Sequence, residues 1–404
     1  MSYGAGRLPF RLLASAFSLT ALLLVTGAQA QTYSIVDLGT LEGDFGIGSL
    51  GISINASGQV AGFSATSSIS PHAFRTTVGG KVSDAGSDLG TLGGTYSYGQ
   101  GINASGQITG DSQVINLSPH AFRTTANGKV SDAGTDLGTL GGSFSEGRAI
   151  NDSGQVTGYS KISGGNADHA FRTTATGKVS DAGTDLGTLG GIDSHGHAIN
   201  TSGQITGYSD DAGGFAHAFR TTATGTLSDG TAMDLGSFGN VSPYSVGNGI
   251  NDSGQVTGHS YTDSGEQHAF RTTANGLVSD AGADLGTLGG TFSEGYGINA
   301  TGQVTGFAYT TGDVASHAFL YTTSMVDLNS LISAADQANW ELQDGLDIND
   351  SGQITGRGTF NGNTHAFLLT PLGPSPTPEP GVWGLFAAGA TIALTLHRRR
   401  RSQK

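Results

Sequence analysis

The sequence has no cysteine, and its 404 residues include only 9 prolines, 2 tryptophans and 3 methionines, with 12% charged side chains. Without cysteine there are no disulfide staples, thiolate metal sites or cysteine nucleophiles. Basic residues are outnumbered by acidic ones, 18 to 32 for a formal charge of -14, which argues against nucleic acid as a partner. No GxSxG elbow, HExxH pair or P-loop occurs, so the commonest hydrolase and nucleotide-binding signatures are missing. What is abundant is glycine, at 68 positions. A chain so rich in glycine and poor in charge is either low-complexity or a repeat built from turns.

The two ends read as addresses. Arg7 and Arg11 precede an apolar stretch from Leu12 to Val25, and Ala28 and Ala30 then frame a small-residue cleavage pattern. This predicts a secretory signal peptide over residues 1–30, leaving Gln31 first and placing the protein outside the cytoplasm. At the other end a proline-rich linker, 374–380, leads into an apolar stretch, 381–396, and then Arg398, Arg399, Arg400 and Arg401. A short apolar helix followed by a basic cluster fits a membrane segment with its end in the cytoplasm. A plain single-span anchor is the simpler alternative.

The order Pro378-Glu379-Pro380, apolar helix, arginine run resembles the PEP-CTERM sorting tail of exported Gram-negative proteins. That resemblance covers only the tail and implies a membrane protease-transpeptidase of the exosortase type as a partner. Transient anchoring over 381–404, tail removal and delivery to the cell surface or extracellular matrix are then expected. Removing residues 1–30 and 381–404 takes away Arg7, Arg11, Arg398 to Arg401 and Lys404 but no carboxylate, leaving 11 basic against 32 acidic groups, a net of -21. The body between them is acidic and soluble by charge.

Between the labels one unit recurs seven times. HAF stands at His72, His120, His169, His217, His268, His317 and His365, spaced 48, 49, 48, 51, 49 and 48 residues apart. An Asn-x-Ser/Thr-Gly-Gln turn and an Asp-Leu of DLGTL keep step with it, so residues 31–373 are a repeat array rather than several domains. Within one period, Ser97 to Asn103 and Gln107 to Asp111 predict two strands joined at Gly106. HAFRTT predicts a third, and Val130 with the segment ending at Leu137 a fourth. Four short antiparallel strands in about 49 residues match a propeller blade. The chain opens on a lone fourth strand, Tyr33 to Leu38, and ends on a third strand without a fourth, His365 to Thr370. The expected fold is therefore an all-β, seven-bladed β-propeller of four-stranded blades, closed by its N-terminal strand. Helical periodicity is confined to Leu328 to Trp340. HAFRTT, GINxSGQVTG and DLGTLGG together resemble the HAF repeat of exported bacterial proteins, a match spanning residues 33–373. It implies an extracellular repeat without an assigned activity, and the arginine of HAFR departs from its usual apolar residue.

The HAF histidines occupy equivalent places, so they point to hydrogen bonds within each blade rather than to one metal ion. The NDSG turns offer oxygen ligands to calcium but lack an EF-hand order, and ordinary turn chemistry accounts for them. No metal site and no other cofactor is expected. Comparison among the seven units is more informative. At the connection into the first strand the same two places hold Tyr98 and Gln100, Glu146 and Arg148, His195 and His197, Glu294 and Tyr296. The connection between second and third strands varies on the same face, with Asp111, Lys161, Asp168, Asp210, Asp211, Tyr261, Asp263, Glu266, Tyr309 and Asp313. Carboxylates among aromatics at a channel mouth suit sugar hydroxyls and ring faces, or a bound cation. The expected function is a cell-surface or matrix binding or structural module. A lectin-like receptor for extracellular polysaccharide is the alternative, and a polysaccharide hydrolase or lyase a more remote one.

Overall fold

The computed structural model describes Met1 and residues 31–373, apart from 43–46, 69, 231 and 242. Ala28 and Ala30 of the expected cleavage site, and Pro378, Glu379, Pro380 and Arg398 to Arg401 of the sorting tail, lie outside the described residues. Among the described residues no helix is long and apolar enough to cross a membrane.

The described fold is all-β, broken only by a 3-10 turn at Leu328–Leu331 and one helical turn at Ala334–Gln337. Asp327 and Ser333 start these two turns by accepting the Asn329 and Asp336 amides on their side chains. Elsewhere each unit is an antiparallel meander, as in the inner strand Gly93–Ile102, middle strand Ile108–Val114 and outer strand Pro119–Arg123. The turn between inner and middle strands is fixed by its asparagine. Asn103 Oδ1 accepts the Gln107 amide at 3.0 Å, while Gly106 supplies the left-handed φ of +78° that closes the turn.

The fourth strand differs from expectation. In most units it shrinks to a single bridge, Phe122 to Asp136 in the second unit and Phe171 to Asp185 in the third, so these sheets have three strands. The cause is packing across the boundary between units. The Val130 amide turns away to bond Leu89 O of the preceding unit at 2.9 Å, and Val130 is completely buried there. Its neighbours are Leu89, Ile102, Ile108 and Phe122, with Ala61 and Ala73 from the previous sheet. Apolar cores therefore sit between successive sheets. HAF buries Ala121 against one neighbour and Phe122 against the other, which is why both faces of the outer strand are apolar.

The arginine of HAFR, a packing variant by its sequence, joins one unit to the next. Arg75, Arg123, Arg172 and Arg220 each donate from Nη1 to the turn glycine carbonyl of the following unit, Gly106, Gly154, Gly203 and Gly254, at 2.8 to 3.1 Å. Leu320 and Leu368 replace it in the last two units and pack in apolar cores instead.

The first and last described strands share one sheet. Tyr33–Gly39 pairs antiparallel with Asn363–Pro371, Tyr33 opposite Pro371 and Val36 opposite Leu368. A second circuit runs through the turn asparagines. Nδ2 of Asn55, Asn103, Asn151, Asn200, Asn251 and Asn299 donates to the backbone carbonyl of the next asparagine, and Asn349 Nδ2 donates to Asn55 O at 3.0 Å.

The HAF histidines behave as the repeat suggests. Each Nδ1 meets the aspartate that opens the next Asp-Leu marker, from His72 with Asp88 at 3.0 Å to His365 with Asp37 at 2.8 Å. These carboxylates are used a second time, each accepting the backbone amide two residues on, as Asp136 does for Gly138 and Asp185 for Gly187 at 2.8 Å.

Candidate ligand-binding site

Every inner strand carries a β-bulge at the same place. In the second unit Gly99 pairs with Gly110 and Gly101 with Thr109, so Gln100 is the extra residue without a partner strand residue. The skipped residues in the seven units are Ile52, Gln100, Arg148, His197, Asn248, Tyr296 and Leu346. A bulge twists the strand and re-aims the side chain at that point. All seven line one central cavity of about 570 Å³. Opposite each bulge the middle strand keeps a glycine, because the backbone leaves no room. A Cβ on Gly110 or Gly158 would lie 1.8 Å from the Tyr98 or Glu146 carbonyl oxygen.

This placement corrects the sequence reading. Tyr98, Glu146, Arg148, His195, His197, Glu294 and Tyr296 lie within the inner strands, not in the connection before them. Arg148, His197 and Tyr296 are bulge residues, and Tyr98, Glu146, His195 and Glu294 sit two residues before their own bulges. Of the residues assigned to the next connection, Asp111, Lys161, Asp210, Asp211, Tyr261 and Tyr309 lie in middle strands, and Asp168 begins an outer strand. Asp263 and Asp313 are in the connection but serve turns, accepting the amides of Asn240 and Thr291 at 2.8 Å.

Sequence reasoning missed Ile52, Asn248 and Leu346 at the bulge and, apart from Asp111, the middle-strand residues that face the inner ones. Across the sheet Tyr98 opposes Asp111, Glu146 opposes Tyr159, His195 opposes Tyr208, Glu294 opposes Phe307 and Asp344 opposes Arg357. The signal is present as the residue after the SGQ(V/I)TG string, which changes more from unit to unit than the string, where Ala61 in the first unit and Thr301 in the sixth are the departures.

These side chains form a connected polar and aromatic network, of which Arg148, His197, Asn248, Glu294 and Tyr296 line the cavity. Arg148 Nε lies 2.6 Å from Glu146 Oε1, and Tyr159 donates its hydroxyl to Glu146 Oε2 at 2.8 Å. Tyr159 stacks on His195 with ring centres 3.7 Å apart and planes 6° from parallel. His197 Nδ1 meets Asn248 Oδ1 at 3.2 Å, and Asn248 Nδ2 donates to Glu294 Oε1 at 2.9 Å and to Gly295 O at 3.0 Å. Arg357 pairs with Asp344. Eight of the 11 tyrosines, at 96, 98, 159, 208, 244, 261, 296 and 309, belong to these inner and middle strands or immediately flank them.

Burial sets the protonation states. Asp111 is only 6% exposed, and desolvation together with the nearby Glu146 charge pushes its carboxyl up to about 8. Burial pushes His195 down to about 4 despite Asp168 beside it. Burial, reinforced by Arg148 and His195, takes His197 down to about 3. Both imidazoles are neutral at pH 7. Burial also raises Tyr159 and Tyr296, so both keep their hydroxyl protons. Among the described residues no three or more histidines and carboxylates are grouped to hold a metal ion. In the turns considered for calcium, Asp152 accepts the Ala104 amide and Asp350 the Ala300 amide across units, both at 2.8 Å.

No family model matches the chain, and no curated protein matches it. Among solved structures the chain is similar to TolB from Acinetobacter baumannii, at 11% identity over 56% of this chain, with a TM-score of 0.37. It spans about half, 52%, of that chain. A putative TolB from Agrobacterium tumefaciens is 11% identical over 66% of this chain and 87% of its own, with a TM-score of 0.39. The six-bladed β-propeller lectin of Aleuria aurantia is 14% identical over 69% of this chain and 95% of its own, with a TM-score of 0.35.

Proposed function

We propose that the protein is an exported, closed seven-bladed β-propeller that binds carbohydrate at its central cavity and does not cleave it. The observation that carries the reading is the contrast between an unvarying frame and a varying ring. Turn asparagines, HAF histidines and facing glycines recur from unit to unit, whereas the bulge holds Ile, Gln, Arg, His, Asn, Tyr and Leu. Sugars present flat apolar faces edged by hydroxyls, and the lining offers the Tyr296 ring beside the carboxylates of Glu294 and Asp347, the amides of Gln100 and Asn248 and the neutral imidazole of His197. Closure is supported by the asparagine circuit that returns to Asn55 and by pairing of the first strand with the last. Export and surface sorting by an exosortase-type partner are supported by the end segments of the sequence.

Cosedimentation of the purified protein with the producing cell's own extracellular polysaccharide, with and without calcium, tests the reading, with reducing-end release followed in parallel. Saturable binding without new reducing ends is expected. Release of reducing ends would replace the receptor by an enzyme. No cosedimentation at high polymer concentration would leave a structural module.

A further inference from the structure

The ring offers donors and acceptors in a fixed order, and one of them can be assigned atom by atom. Both partners of Asn248 Nδ2, the Glu294 carboxylate and the Gly295 carbonyl, are acceptors only, so that atom is the amide nitrogen. Asn248 Oδ1 can then only accept, and the His197 atom facing it, Nδ1, must carry the proton. In a neutral imidazole the other nitrogen, Nε2, is left as a bare acceptor. His197 lines the cavity at the bulge, with Arg148 at the same position of the adjoining unit. The Arg148 guanidinium has five N–H groups, of which Nε faces Glu146 at 2.6 Å, and its side chain is 37% exposed. A donor and a fixed acceptor thus stand side by side.

Two further features narrow what fits. The cationic side chains of the two facing rings already meet carboxylates, Arg148 with Glu146 and Arg357 with Asp344, so among the described residues the lining holds no unmatched positive charge for an anionic ligand. The cavity also has an apolar end. Ile102, Ile150, Ile199, Ile250 and Ile298 border both it and a smaller cavity of about 230 Å³ on the far side, where the asparagine circuit lies. A hydrated polymer passing through that apolar neck would lose water from its hydroxyls with no partner in exchange.

We infer that the cavity takes the terminus of a neutral saccharide chain, with one hydroxyl donated to His197 Nε2 and a neighbouring oxygen held by Arg148. Ile52 and Leu346, on the opposite side of the ring, receive the apolar face of the sugar. This inference rests on the carbohydrate reading above and specifies which part of the polymer is bound.

The test uses the purified protein with the producing cell's own extracellular polysaccharide, intact and after sonication to about one tenth of its length. Binding to a terminus predicts that protein bound per gram of polymer at saturation rises in proportion to chain ends, roughly tenfold. Capacity per gram that does not change would overturn terminus recognition and leave the carbohydrate reading standing. No binding at either length would remove both. Nitrogen-15 NMR of the histidines gives a second readout, with His197 Nε2 expected to be unprotonated in the free protein and to shift on binding. A protonated Nε2, or His197→Phe binding the sonicated polymer as tightly as the wild type, would overturn the assignment.

Discussion

The asparagine circuit can be broken at one point, and the cost depends on whether the circuit closes. Asn349 is 6% exposed and makes four directed contacts. Its Oδ1 accepts the Gln353 and Ser351 amides at 3.0 and 3.1 Å, and its Nδ2 donates to Gln353 Oε1 at 2.9 Å and to Asn55 O at 3.0 Å. Asn349→Ala orphans the Gln353 amide and removes the bond to Asn55, whose carbonyl keeps the Gly58 amide at 3.0 Å. An orphaned donor costs about 1–3 kcal/mol and a lost net hydrogen bond about 1, so about 2–3 kcal/mol is expected. For a folded body of this size that lowers Tm by roughly 3–4 °C. The control is Asn103→Ala, within the array, where the same contacts run to Gln107 and to Asn151 O. Calorimetry on the two variants should give equal losses. An Asn349→Ala loss smaller than that of Asn103→Ala by about 1 kcal/mol or more would mean that the bond to Asn55 does not form in solution, and the ring would not be closed there.

Three other outcomes follow from the same contacts. The HAF pair His169–Asp185 has a pH window: the Asp185 hydrogen bond raises His169, and although burial alone would raise Asp185, its bonds to His169 and Gly187 hold it below its ordinary value. The raised histidine adds stability that fades as pH rises through its folded value, and the lowered aspartate adds stability that fades as pH falls through its own. The Tm gap between wild type and His169→Gln should therefore be widest between about pH 4 and 6.5; a gap independent of pH would contradict the pairing. Asp111, raised to about 8, has the opposite sense for a carboxylate, its stabilisation being complete below its unfolded value and lost as pH rises through 8. Asp111→Asn should flatten the decline in Tm from about pH 4 to 8, and an unchanged slope would place the proton elsewhere. Gly158→Ala puts a methyl 1.8 Å from the Glu146 carbonyl oxygen, so it should displace the bulge, lower Tm and weaken polymer binding together; normal binding would show that the bulge does not set the site.

Much of the frame is legible in the sequence because it rests on local chemistry. The period, the three strands and the asparagine turn follow from alternation and glycine placement, and the partner of His365 can be sought in Asp37 because the ends of the array complement each other. The fourth strand escapes such reading because Val130 bonds Leu89 of the preceding unit rather than its own sheet. The same kind of long-range contact gives Arg172 its partner at Gly203 and Asp347 its partners at Ser53 and Ile54. The site is visible in the sequence but displaced along the chain. Variation at positions 98 and 100, 146 and 148, 195 and 197 marks it, while the bulge that turns Gln100, Arg148 and His197 into one cavity breaks the two-residue period on which strand reading depends.

The central claim is that the bulge residues bind carbohydrate. The most direct measurement is calorimetric titration of the producing cell's extracellular polysaccharide into the wild type, into the variant Arg148→Ala/His197→Ala/Tyr296→Ala, and into Asp152→Ala in the smaller cavity on the far side. The account predicts saturable heat for the wild type and Asp152→Ala, and an affinity weaker by about tenfold or more for the triple variant, the loss of a net hydrogen bond or two. Equal binding by the triple variant, with its fold intact by circular dichroism, would contradict it.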